Sequence, residues 1–225
     1  LDEIVMTDVA PYSLGVEVSS RTRSNQEMAG LFSPIIERNS IVPVSRVQRY
    51  YPQSEQQRAI KLEIYQGESR LVKDNIHLGS LEIAIESVKE IAENAIDVRF
   101  TYDVNGLLEV VTTHVQSQRQ YSLIIEGNPG MLSESQIKQR FQELAAIKLH
   151  PRDTLEVRTM MARADRLYQQ LRGDIRAWLG QQINEFVAIV DSQDAKKINP
   201  AKKRFAELLD SIESDNRVLT ELHDD

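Results

Sequence analysis

The stretch Phe100-Thr101-Tyr102-Asp103-Val104-Asn105-Gly106-Leu107-Leu108-Glu109-Val110 decides the class of the first half of this chain. Strand-forming residues flank Asn105-Gly106, and both of those residues tolerate positive φ, so the segment reads as a hairpin. Working outward, Ile60-Lys61-Leu62-Glu63-Ile64 alternates apolar with charged side chains. That period of two turns one set inward and the other to water. Similar short runs fall at 12–18, 41–49, 59–66, 70–82, 96–103, 107–113 and 120–126, between turn signals at Asn39-Ser40, Tyr51-Pro52 and Gln66-Gly67. Seven or eight short strands without helical spacers predict an antiparallel β-sandwich. The stretch 84–95 fits either an irregular connection or a short helix.

The second half has a different habit. Residues 1–130 hold seven of the nine Gly and five of the seven Pro, and the formal charge divides as −6 for 1–130 and −1 for 131–225. Ser133 with Gln136 three residues on fits a capping box, which starts a helix that runs to about Lys148 and stops at His150-Pro151. Met160, Ala164, Leu167, Leu171, Ile175, Trp178, Leu179, Ile183, Phe186 and Val190 then step by threes and fours, with Gly173 and Gly180 as candidate breaks. After Asn199-Pro200, Phe205, Leu208, Leu209 and Ile212 predict a last amphipathic helix. The expected organisation is the end of a linker over 1–8, a β-sandwich over 9–130 and a small α-helical bundle over 131–225.

The chain has 225 residues, 27 Lys+Arg against 34 Asp+Glu and a net charge of −7. The acidic balance argues against a general nucleic-acid binder, whose affinity comes from neutralised phosphates. No run approaches the roughly 20 apolar residues that a membrane-spanning helix needs. Cysteine is absent, which removes disulfides, thiolate metal sites and cysteine nucleophiles together. His77, His114, His150 and His223 lie far apart and form no helical metal motif. No nucleophile elbow surrounds Ser19-Ser20 or Ser133, and there is no Gly-rich phosphate loop. Lys202-Lys203-Arg204 reads as a solvated face, and Met160-Met161 and Trp178 as core packing. By these criteria the chain is expected to be no enzyme.

Six segments in order carry a family resemblance. Asp8-Val9-Ala10-Pro11-Tyr12-Ser13-Leu14-Gly15-Val16-Glu17, Pro34-Ile35-Ile36-Glu37-Arg38-Asn39, Ile41-Val42-Pro43, Ile64-Tyr65-Gln66-Gly67-Glu68, Leu78-Gly79 and the 102–110 stretch together resemble the peptide-binding part of DnaK-type chaperones, the seventy-kilodalton heat-shock family. Gly67-Glu68-Ser69-Arg70 and the helical part look most like its HscC branch. The resemblance implies a β-sandwich that grips an extended peptide and a helical lid over its cleft. It also implies that ATP belongs to an ATPase domain preceding Leu1, with no cofactor in this chain, and that Ile4-Val5-Met6 ends the apolar linker. Carried over by position, Val16, Val18, Tyr50, Ile60 and Leu62 line a pocket for a Leu-like side chain. Gln57 neighbours the peptide backbone, and Asp8 makes an interdomain contact.

Three departures qualify the carry-over. Ser19 and Gln53 stand where the family closes an apolar arch over the peptide, which predicts a polar bridge or an open channel. Glu55 is the acidic latch candidate, but Ile91 replaces the usual Arg, with Lys89 and Arg99 nearby. The segment 19–33, with Arg21, Arg23 and Glu27, is longer than its counterpart and reads as either a cover for the cleft or a solvated loop. The function this implies is reversible capture of exposed apolar stretches of unfolded proteins; an adaptor module that has lost general capture is the alternative. Implied partners are the ATPase domain of the same polypeptide and a J-domain cochaperone, with self-association through the helical stripe and cytoplasmic residence; nucleic acid and membrane are not expected.

Overall fold

The computed structural model describes residues 8–21, 27–85, 91–127, 130 and 132–221. They form a β + α chain that divides into two compact units, Leu1–Lys148 and Leu149–Asp225. In the first unit, β1 (Leu14–Arg21), β2 (Glu27–Ile36), β4 (Ala59–Gln66) and β5 (Ile76–Ala84) make one antiparallel sheet in the order β2-β1-β4-β5. β3 (Val44–Tyr50), β6 (Ile96–Tyr102), β7 (Leu107–His114) and β8 (Gln120–Glu126) make a second in the order β3-β6-β7-β8. One apolar core draws on both sheets: Val16, Leu62, Ile64 and Ile83 from the first, Ile96, Val98, Phe100, Leu108 and Val110 from the second. The alternation read in the sequence is the burial pattern itself, since Ile96, Val98 and Phe100 are buried while Asp97 and Arg99 between them are less so.

The hairpin at 102–107 is present, but Gly106 alone takes positive φ, at 77°. The loop is longer than a two-residue turn: the Asp103 N–H donates to Leu107 O at 2.9 Å and the Gly106 N–H to Asp103 O at 3.1 Å. Asn105 instead donates from Nδ2 to Asp103 Oδ2 at 3.0 Å. Residues 27–36 form a strand that the sequence reading does not anticipate. Gly30, at φ 77°, and Pro34 are poor strand formers. Pairing with β1 overrides them, at the cost of register shifts at Leu14/Gly15 and Val18/Ser20. Within the ambiguous stretch 84–95, residues 91–94 are a single 3-10 turn, and 86–90, with Lys89, lie outside the described residues.

On the solvent face of β4, the Glu63 carboxylate pairs with Lys61 and accepts from Ser80 Oγ at 2.7 Å and from His77 Nε2 at 2.7 Å. Lys61 above all, then Ser80 and His77, holds the Glu63 carboxyl down to about 2, against the opposing effect of burial. A carboxylate whose pKa is lower folded than unfolded stabilises the native state above its unfolded value of about 4.5 and loses that contribution as pH falls toward 2. Chemical denaturation at several pH values should therefore give a loss between pH 4.5 and 2 that Glu63→Gln removes. We expect about 1 kcal/mol, since water screens the group.

Ser133 caps α1 (Glu134–Glu143) through the expected capping box, and both arms of it are present. α1 and the 3-10 turn 144–148 fall within the sheet unit, where Ile137 and Phe141 pack on Leu107. The second unit contains α2 (Leu155–Gln170), α3 (Gly173–Asp191) and α4 (Ala195–Glu221). Extended backbone at Leu171 and Arg172 and φ of 60° at Gly173 separate α2 from α3, while Gly180 lies within α3. α4 starts five residues before Pro200, earlier than the sequence reading has it. The Asp194 carboxylate accepts from the Lys196 N–H at 3.0 Å and starts the helix, and Pro200 forfeits only one later bond. The helices share one core, with Phe186 stacked on Phe205 at 4.3 Å. Arg163 bridges from α2 to Asp210 and Glu213 of α4. Trp178 is a correction. It is 46% exposed and absent from that core, because Leu179 beside it takes the inward position.

Candidate functional site

The first sheet contains an incomplete ladder. β1 and β4 pair only at Leu14↔Gln66, Gly15↔Tyr65 and Val16↔Ile64. Beyond that point β1 stays bonded to β2 as far as Arg21↔Glu27, and β4 stays bonded to β5 as far as Ala59↔Ala84. Two hairpins therefore part company after Val16 and Ile64. Each has an inner strand whose backbone groups on the facing edge have no ladder partner among the described residues. Such edges can accept an extended chain, which offers a donor and an acceptor at every residue.

The five apolar residues expected to line a pocket separate into two groups. Val16 is 0% exposed and Leu62 3%, and both belong to the apolar core that draws on both sheets. They form a buried floor, enclosed by strand pairing and by the core they share. Val18, Ile60 and Tyr50 are half-buried and pack against the same core from its margin. Val16 and Val18 share one face of β1, as Ile60, Leu62 and Ile64 share one of β4. The Tyr50 hydroxyl bonds Ser33 Oγ at 3.0 Å, and Ser33 is the β2 partner of Val16. Tyr50 is thereby held beside the point where β1 and β4 diverge. Burial pushes its hydroxyl up to about 12 against the opposing bond to Ser33, so it stays protonated at ordinary pH. No sequence signal points to Ser33, because residues 27–36 do not look like a strand.

Gln57 is committed within its own loop. Its Oε1 accepts from the Gln53 N–H at 2.9 Å, and its Nε2 donates to Ala59 O at 2.7 Å. The side chain staples 53–59 just ahead of β4 and so positions the start of the open edge. Ser19 is half-buried and Gln53 exposed, and among the described residues no hydrogen bond joins them. Glu55 is exposed and forms no ion pair among the described residues. Ile91 is half-buried, and Arg99 donates to Ser45 Oγ at 3.0 Å. Asp8 is exposed, and its backbone carbonyl accepts from the Val42 N–H at 3.0 Å. Of the long 19–33 segment, Arg23 lies outside the described residues, and β1 and β2 pair as far as Arg21↔Glu27.

The entry to β1 is fastened separately. The Glu68 carboxylate accepts from the Ser13 N–H at 2.7 Å and from Ser13 Oγ at 3.1 Å, and the same Ser13 Oγ accepts from the Arg38 N–H at 3.0 Å. This ties the Ser13-Leu14-Gly15-Val16 and Gly67-Glu68 motifs into one local structure.

Comparison with known proteins matches residues 1–223 to the family model described as Hsp70 protein. Chaperone protein DnaK of Ureaplasma urealyticum is 28% identical over 218 residues, covering 93% of this chain and 35% of that protein. The DnaK of Anaplasma marginale is 28% identical over 224 residues, covering 99% and 32%. That of Deinococcus radiodurans is 28% identical over 231 residues, covering 98% and 35%. The chain thus spans about a third of the length of the curated relatives it matches.

These matches correct two expectations. The sequence reading makes the chain no enzyme and assigns ATP to another domain. The Hsp70 match instead runs across nearly all of the chain, and the DnaK relatives align over 93% to 99% of it. ATP binding and hydrolysis, the chemistry the resemblance attaches to the family, are therefore not set apart from these residues, and neither exclusion is retained.

Proposed function

This chain belongs to the Hsp70 family, and from that premise we propose that its sheet unit is a chaperone clamp for extended apolar peptide segments. The reading rests on one observation, the β1–β4 ladder that ends at Val16↔Ile64 while the outer pairings continue. An unfolded client segment lies between the two open edges. Its backbone bonds to β1 and β4, and one aliphatic side chain packs on Val18, Ile60 and the Tyr50 ring. The two sheets act as the sandwich that holds these edges rigid, and the helical unit is the lid that the resemblance implies. Cytoplasmic residence, a J-domain cochaperone and placement in the HscC branch belong to the same reading, and Ile175 and Trp178 are the residues through which the helical unit would self-associate.

Magnitudes favour release as much as capture. One aliphatic side chain contributes about 1.5–3 kcal/mol and each of a few backbone bonds about 1 kcal/mol, against about 2–5 kcal/mol for ordering the segment. The remainder corresponds to roughly micromolar binding or weaker.

Fluorescence anisotropy with a short Leu-centred peptide tests this. Val18→Asp puts a charge at the half-buried margin and should weaken capture at least tenfold, with the fold verified by circular dichroism. Equal binding by both proteins would move the site elsewhere. The sealed positions of Val16 and Leu62 and the polar Ser19 and Gln53 favour a second reading, an adaptor without general capture. Its signature is a folded chain that binds no Leu-centred peptide at all.

A further inference from the structure

The sheet unit carries a second surface that the clamp does not use. A groove of about 690 Å³ lies between β7–β8 and α1 with the turn that follows it, lined by Ile124, Ile137, Phe141, Glu109, Glu126 and Lys148 among others. Its size falls in the range of ligand sites. Ile124 is 43% exposed there, although it is a β-branched residue in a strand.

The charges around it do not balance locally. Glu109 is matched by Lys148 at 2.5 Å, and that ammonium also sits 5.5 Å from the centre of the Phe141 ring. Glu134 precedes Lys138 by one helical turn, the spacing at which opposite charges support each other. Glu126 is the remaining carboxylate. Its Oε2 accepts from the Gly130 N–H at 3.1 Å, and among the described residues it meets no cation.

β8 is also an edge strand. It pairs with β7 alone, through Glu109↔Ile124 and Leu107↔Glu126, and among the described residues no strand lies on its other side. Ile124 and Glu126 are two residues apart and so share one face, the face that borders the groove.

We propose that β8 accepts an extended peptide as a further antiparallel strand, with the pattern Lys/Arg-x-Leu/Ile. The aliphatic residue stands opposite Ile124 and drops into the groove, and the basic residue two positions earlier stands opposite Glu126. Backbone bonds along the open edge hold the segment, and the two cross-strand pairs select it. This is a second site, independent of the clamp between β1 and β4.

The test uses the full chain with two fluorescein-labelled peptides, Thr-Lys-Thr-Ile-Thr and Thr-Glu-Thr-Ile-Thr. The unaltered protein should prefer the Lys peptide at least tenfold. Glu126→Lys should reverse that preference, and Glu126→Gln should erase it. Val18→Asp, which injures the clamp, should leave the preference unchanged, so the two sites fail separately. Hydrogen exchange should show added protection at 120–126 when the Lys peptide is present. No binding of the Lys peptide at millimolar concentration, a preference that does not follow the charge at 126, or loss of binding in Val18→Asp would each overturn the proposal.

Discussion

Gly15→Ala should lower the stability of the sheet unit by about 3 kcal/mol, which corresponds to roughly 10 °C in Tm for a unit of this size. A Cβ at position 15 would lie 2.1 Å from the Ser33 carbonyl oxygen and 2.7 Å from Pro34 Cα. Both are backbone atoms, so no rotamer change relieves the overlap. β1 and β2 must separate instead, and the β1–β2 register already shifts between Leu14 and Gly15. Since Gly15 also pairs with Tyr65 in the last stretch of ladder before the open edges, peptide capture should fall with stability. Gly180→Ala is the informative contrast. Its Cβ would meet only the edge of the Tyr168 ring, at 3.1 Å, inside a helix that favours Ala over Gly by about 1 kcal/mol. A Gly15→Ala protein that melts within 2 °C or so of the parent would mean that β1 and β2 do not approach as described.

Phe205→Ala should remove most of the stability of the helical unit. Phe205 is buried and stacked on Phe186 with ring planes 12° apart, so truncation leaves a cavity that its neighbours on three helices cannot fill. Such losses run to about 3–5 kcal/mol. A unit of this length has about 4–11 kcal/mol in total. The two units have separate cores, and the expected result is a melting curve in which the helical signal at 222 nm is lost early while the sheet transition stays in place. A single transition, displaced as a whole, would show that the two cores unfold together.

Local pattern was legible wherever one rule acted alone. The period of two at Ile60–Ile64 became β4, and Ser133 with Gln136 became the capping box of α1. The helical stripe of 160–190 became the inner faces of α2 and α3, apart from Ile175 and Trp178, which are exposed. Reading failed where two chain segments had to be known at once. β2 was hidden because Gly30 and Pro34 argue against a strand until β1 is placed beside them. The bonds that hold the Gln57 amide to the Gln53 N–H and Ala59 O likewise depend on the loop's closed shape and have no local signature.

The candidate site divides along the same line. The residues around it, aliphatic on β1 and β4 with a Tyr on β3, could be named from the sequence only through the family resemblance, position by position. Which of them meet solvent could not, since Val16 and Val18 obey the same period and differ only in what lies across from them. By itself the sequence determined the strand and helix periods, the caps and the family, because these depend on neighbours within a few residues or on motifs in order. The tertiary structure alone decided where the β1–β4 ladder stops, which apolar side chains are sealed and which edge stays open at β8. Pairing between distant segments sets those boundaries, and no local preference encodes the point at which two strands part.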